Sequence, residues 1–135
     1  MGRIEQILIE IETCIQSGIF KKLEDDKLDI KDNSHNASDW KEVFKTASAF
    51  LNTNGGIILI GIHEDEKNQT FHIKGFNKAN EDKLKTIKKE FRNEKKEAID
   101  LEQYFASFKF YAILGQQVVA VYIEELPEEL KYVYY

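Results

Sequence analysis

The sequence predicts an α+β domain: about three helices packed on a mixed sheet built from two hairpins and an N-terminal strand. Three observations predict it. Apolar residues recur at helical spacing in three separate stretches. The run Ile57-Ile58-Leu59-Ile60 is apolar on both faces and mostly β-branched, as a central, doubly covered strand is. Alternating stretches on either side of turn residues supply the partners for two hairpins.

The first helix is expected over residues 3 to 17, where Ile4, Ile7, Leu8, Ile11 and Ile15 form one stripe and Gly18 is placed to end it. Cys14 lies beside that stripe and reads as a small buried hydrophobe. Lys27 to Asp32 alternates, with Leu28 and Ile30 on one face and Asp29 and Lys31 on the other, which is the pattern of a half-buried strand. A polar loop over residues 33 to 38 follows. Asp39 is expected to cap the second helix, with Glu42 three residues on as its capping-box partner. Trp40, Val43, Phe44, Ala47, Phe50 and Leu51 give that helix a broad apolar face.

The central strand is expected to run from Ile57 to Ile62, with Ile58 and Ile60 on one face and Ile57 and Leu59 on the other. Gly61 marks a bulge or a close approach within it. His63 to Gln69 is a charged turn, and Thr70 to Lys74 is the return strand. Asn80 is placed to cap a third helix through Leu84, Ile87, Lys88 and Phe91. The second hairpin joins Phe108 to Leu114 with Val118 to Ile123 through a turn at Gly115-Gln116. The ending Lys131-Tyr132-Val133-Tyr134-Tyr135 is apolar and strand-like, so it is expected to pair with something.

A chain of 135 residues with 42% hydrophobic content is one domain with enough apolar material for a core. One cysteine excludes an internal disulfide and a cysteine metal cluster. No apolar run reaches a membrane span and no signal-peptide pattern opens the chain, so a soluble cytoplasmic protein without a membrane partner is expected. The net charge is -5, but residues 83 to 96 alone carry +5. Lys85, Lys88, Lys89 and Arg92 lie in that segment and suit phosphate contacts, although a Lys-rich solvated helix face has the same pattern.

The turn Asn52-Thr53-Asn54-Gly55-Gly56 also has two readings. It can be a helix end leading into a core strand, or its backbone N–H groups can form an anion nest for phosphate. No Gly-x-x-x-x-Gly-Lys-Ser/Thr signature is present. His35, His63 and His72 lack metal-ligand spacing, and no catalytic Ser–His–Asp or Cys–His arrangement is legible.

The order of these features carries a resemblance. Leu28-Asp29-Ile30-Lys31 is followed by Lys45-Thr46-Ala47-Ser48-Ala49-Phe50-Leu51-Asn52-Thr53-Asn54-Gly55-Gly56, then by a hydrophobic strand ending Gly61-Ile62, then by acids. This resembles the Schlafen/AlbA-type DNA-binding domain family, once labelled "divergent AAA", over about residues 20 to 130. The resemblance implies a nucleic-acid-binding module over residues 1 to 135, with DNA as the expected partner, either at the front of a transcriptional regulator or as a free-standing small protein. Lys31 and Lys45 match basic positions of the family near the turn.

In Schlafen-type ribonucleases three acids bind divalent metal, and the matching positions here are Glu24, Asp29 and Glu64. On that reading Mg²⁺ or Mn²⁺ would be the cofactor. On the leading reading no cofactor is expected. Two departures count against the metal reading: Asp29 is shorter than the family's Glu, and His63 stands where an Asp is common. A third class, a protein-interaction module forming a homodimer, is suggested by the net negative charge and the tyrosine-rich ending.

Overall fold

A computed structural model describes residues 2–32 and 39–135. The polar loop over residues 33 to 38, with His35, and the capping by the Asp39 side chain lie outside the described residues.

Helix α1 spans Arg3–Ser17 and buries Ile4, Ile7, Leu8, Ile11 and Cys14. It ends where expected, with the Gly18 N–H donating to the Cys14 carbonyl at 3.0 Å. Strand β1 is Leu28–Lys31. Helix α2, Asp39–Asn52, crosses over to β2, Gly56–Ile60, which runs parallel to β1. Two later strands complete the main sheet: β5, Phe105–Ile113, and β6, Gln116–Ile123. The strand order is β1-β2-β6-β5, with β6 antiparallel to both neighbours. Strands β3, Ile62–Asp65, and β4, Thr70–Ile73, pair in a separate small sheet. Helix α3 is Glu81–Thr86.

The main sheet separates two cores. On one face Ile58, Ile60, Val119, Val121 and Ile123 meet the apolar side of α2 together with Leu84 and Ile87 of the α3 region. On the other, Leu28, Ile30, Leu59, Val118 and Ala120 meet α1, and Ile62 and Phe71 of the small hairpin join them. Ile58, Leu59 and Ile60 are fully buried, so β2 is covered on both sides as its composition predicts.

The architecture matches the predicted class, and four local features differ. The central strand breaks at Gly61, so the first hairpin is made by β3 rather than by β2 and leaves the main sheet. Gly61 has φ +115, and an added Cβ would lie 3.0 Å from the Gly75 backbone and 3.1 Å from Val118. Its N–H donates to the Lys31 carbonyl, and its own carbonyl accepts from Lys74 and Gly75. It therefore ties the main sheet to the hairpin at a pivot where a side chain does not fit. The third helix is short: α3 stops at Thr86 and a 3₁₀ turn covers Ile87–Lys89. Its entry is capped by Asn77, whose Oδ1 accepts from the Ala79 N–H, while the Asn80 side chain makes no cap. The second hairpin turns at Leu114-Gly115, both at positive φ, with Ile113 paired to Gln116. A two-residue loop of that kind matches the twist of the strands.

Candidate nucleic-acid interface

The glycine turn is built by helix termination. Gly55 has φ +69, and its N–H donates to the Phe50 carbonyl at 2.8 Å. A Cβ there would stand 2.8 Å from the Ile123 carbonyl, and a Cβ on Gly56 would meet the Phe50 ring at 2.8 Å. Both glycines thus allow backbone and ring to close over the sheet. Gly55 is buried with its N–H already bonded, while Thr53 and Asn54 are exposed. The Thr53 hydroxyl donates to the Ala49 carbonyl.

Asn52 has a structural task that its sequence position did not disclose. Its Nδ2 donates to the Val133 carbonyl and its Oδ1 accepts the Val133 N–H, each at 2.9 Å. The next residue, Tyr134, exchanges two 2.8 Å backbone hydrogen bonds with Arg92. Successive backbone groups of an extended segment point to opposite edges. The tail therefore runs between the end of α2 and the basic segment, and draws both to one end of the molecule. Val133 is fully buried, whereas Tyr132, Tyr134 and Tyr135 are about half exposed. Lys131 anchors the tail on Glu125 and Glu128 at 2.7 and 3.0 Å.

The predicted basic positions divide into two groups. Lys31 lies 2.9 Å from Asp29, Lys45 lies 3.6 Å from Glu42, and Lys88 donates to Glu102 at 2.7 Å. By contrast, Lys83, Lys85, Lys89, Lys95 and Lys96 are exposed, and none of them forms an ion pair among the described residues. Arg92 is exposed and directs its guanidinium to the neighbouring Phe91 carbonyl.

The three acids do converge. Glu24 comes within hydrogen-bonding reach of Asp29 and Glu64, and its Oε2 accepts the Ile30 N–H at 3.0 Å. Burial, and then the two neighbouring carboxyls, push the Glu24 carboxyl up to about 8. Burial also pushes Asp29 up, but hydrogen bonds from Glu24, Lys31 and Thr46 outweigh it and hold its carboxyl below the usual range. Of the two carboxyls, Glu24 is the one that its surroundings favour in the neutral form. One oxygen of Glu64 is buried without a hydrogen bond among the described residues.

A divalent cation needs several deprotonated carboxylates turned to one point. Here the Lys31 ammonium lies 2.9 Å from Asp29, and burial with the neighbouring carboxyls raises the Glu24 carboxyl. Among the described residues no group of three or more His, Cys, Asp or Glu side chains is arranged to hold a metal ion. The small hairpin also brings His63 and His72 together as a directly opposed, stacked pair with centroids 6.0 Å apart. Their sequence spacing gives no hint of this, because only the strand register creates it.

Edge strand β5 carries a bulge between Phe105 and Ser107 and presents Lys109. Both features discourage pairing with the edge of a second copy. No described helix is long and apolar enough to cross a membrane.

The Schlafen, AlbA_2 family model matches residues 24–135, from Glu24 to the tail. The chain belongs to the Schlafen, AlbA_2 family. Helix α1 precedes the matched region and covers one face of the AlbA_2 sheet. Among solved structures, the AlbA_2 domain is similar to the N-terminal domain of an ATP-dependent DNA helicase RecG-related protein from Nitrosomonas europaea. That likeness has 18% identity and a TM-score of 0.63, over 99% of this chain and 80% of that one. It is also similar to the DIP2311 protein from Corynebacterium diphtheriae, at 17% identity and a TM-score of 0.45, over 95% of this chain and 24% of that one. At these identities the first likeness speaks for the fold alone. No curated protein matches the sequence.

Proposed function

We propose that this domain binds nucleic acid, DNA in the first instance, through phosphate contacts along residues 83 to 96, as part of a transcriptional-regulator type protein. The observation that carries the reading is the set of exposed, unpaired lysines. In a chain with 24 acids, Lys83, Lys85, Lys89, Lys95 and Lys96 face solvent without an ion-pair partner among the described residues. Charges left unneutralised on one segment release counterions when they meet phosphates, and this release drives sequence-independent binding. The tail supports the segment from behind: the Arg92–Tyr134 backbone pair fixes Arg92 beside an exposed aromatic ring. Lys31 and Lys45 contribute less to this reading, because each already has a carboxylate partner.

Such contacts position a duplex and read little of its sequence. Binding of labelled duplex DNA, followed by anisotropy at low salt, is expected to weaken steeply as salt rises. The Lys85→Glu/Lys89→Glu/Arg92→Glu protein is expected to lose affinity equally for unrelated sequences. Absence of binding by the native protein to DNA and RNA at low salt would defeat the proposal.

A further inference from the structure

A second groove lies on the opposite face of the main sheet, beside the start of α1, with a volume of about 560 Å³. Its lining includes Arg3, Lys27, Lys109, Tyr111 and Tyr122, with Gly56 and Ile57 at the start of β2. The strand register explains the arrangement. Lys109 sits opposite Ala120, while Tyr111 and Tyr122 lie on the same face one pair to either side. The small Ala120 lets the two tyrosines lean together until their hydroxyls meet at 2.8 Å. Lys109 stands over the Tyr111 ring, its Nζ 5.2 Å from the centroid. Arg3 is held by Asp25 at 2.8 Å. Lys27 and Lys109 form no ion pair among the described residues, and Glu124 is the acid on the lining. With Arg3 neutralised by Asp25, the lining keeps two unpaired cations, Lys27 and Lys109, against Glu124, and these two favour an anionic ligand.

Two exposed cations beside two half-buried aromatic rings match one chemical unit: a phosphate joined to a planar base. We infer that this groove binds a nucleotide unit of an unpaired strand, the phosphate held by Lys27 and Lys109 and the base laid against Tyr111 and Tyr122. Aromatic rings serve single strands because an unpaired base offers its flat face, which a duplex keeps stacked. The polymer is favoured over a free nucleotide by continuity. Ser107, at the bulge of β5, lines this groove and also the groove of about 400 Å³ on the other face, where Lys85 stands unpaired and Lys88 is paired with Glu102. A strand passing over the β5 edge at Ser107 would have cations on both sides. This deepens the proposed function by naming an unpaired strand as ligand, and the groove itself is lined by residues outside the 83 to 96 segment.

The test compares a labelled dT oligonucleotide, a duplex of equal length and dTMP as competitor, using the whole chain. Lys27→Ala/Lys109→Ala and Tyr111→Leu are expected to lower oligo-dT affinity about tenfold or more, while leaving duplex affinity unchanged. Tyr111→Phe/Tyr122→Phe, which keeps both rings, is expected to bind oligo-dT as the native chain does. This variant guards against reading a folding defect of Tyr111→Leu as a binding defect. Competition by dTMP as effective as by oligo-dT would assign the site to a free nucleotide and overturn the strand. Native-like oligo-dT binding by the lysine and Tyr111→Leu variants, with loss confined to the Lys85/Lys89/Arg92 reversal, would overturn the groove and leave the proposed function standing. No binding by the native chain to any nucleic acid would overturn both.

Discussion

Asn52 and Val133 are 81 positions apart and hold each other by two 2.9 Å hydrogen bonds, side-chain amide to backbone. Each satisfies the other's donor and acceptor at once, which an ionised carboxylate, an acceptor only, cannot do. The pairing explains how a fully buried Val133 keeps its backbone polar groups satisfied.

Asn52→Ala is expected to lower stability by about 2–3 kcal/mol, because a buried N–H and a buried carbonyl lose their partners together. Asn52→Asp should lose similarly, since a carboxylate cannot donate to the Val133 carbonyl. Thermal melting gives the magnitude. Hydrogen exchange at Val133 and Tyr134 locates it: these amides should lose protection before those of β2 and β6. Unchanged protection at Val133 in Asn52→Ala would mean that the tail is held by the Val133 side chain and the Arg92 pairing alone.

Gly61→Ala is expected to cost about 1–3 kcal/mol, the range for forcing a residue with a side chain into a sparsely populated backbone region. The added methyl would also press on Gly75 and Val118 at 3.0–3.1 Å. Since Gly61 joins the main sheet to the β3–β4 hairpin, amide protection should fall first in the hairpin. A melt matching the native protein would place the pivot elsewhere.

Much of this fold was legible because its signals are local and periodic. The α1 stripe, the α2 face and the two-sided burial of Ile58, Leu59 and Ile60 follow from spacing alone. The separation of β3 from β2 was not legible, because the sequence marks Gly61 as a break without stating its φ or its contact with Gly75. The candidate site was legible in part. That Glu24, Asp29 and Glu64 meet was implied by family resemblance, and their meeting is visible in the raised Glu24 carboxyl. The place of the tail was hidden, since no spacing rule links Asn52 to Val133 or Arg92 to Tyr134. The Tyr111–Tyr122 groove was hidden as well, because it depends on the register of β5 with β6. Non-local pairings of this kind are set by tertiary packing, and one sequence does not encode them as a pattern.

Glu24 sets a distinctive pH dependence. Its folded carboxyl titrates at about 8 against 4.5 for the free group. Between those values the folded chain holds a proton that the unfolded chain has lost, so this group makes stability fall as pH rises from about 4.5 to 8. Asp29 acts with the opposite sign: its depressed carboxyl contributes stability above 3.8, lost as pH falls through its folded value. Glu24→Gln imitates the protonated carboxyl and does not titrate. Its stability relative to the native chain, measured by urea unfolding across this range, should improve steadily toward pH 8. A constant difference would show that Glu24 is ionised throughout.

The same proton bears on metal chemistry. A cation at Glu24, Asp29 and Glu64 would have to displace the proton of Glu24 and compete with the Lys31 ammonium, 2.9 Å from Asp29. Both displacements oppose binding at neutral pH, and removing Lys31 would relieve one of them. Incubated with structured RNA or single-stranded DNA in Mn²⁺, the native protein and Asp29→Ala are expected to give the same background of cleavage. Lys31→Ala is expected to bind Mn²⁺ more tightly than the native chain, as read by the relaxation of water protons, with affinity rising as pH is raised past 8. Cleavage that requires both Mn²⁺ and Asp29 in the native protein would reverse this reading. It would mean that nucleic acid, on arriving, draws Lys31 to its phosphate and frees the three carboxylates for the ion.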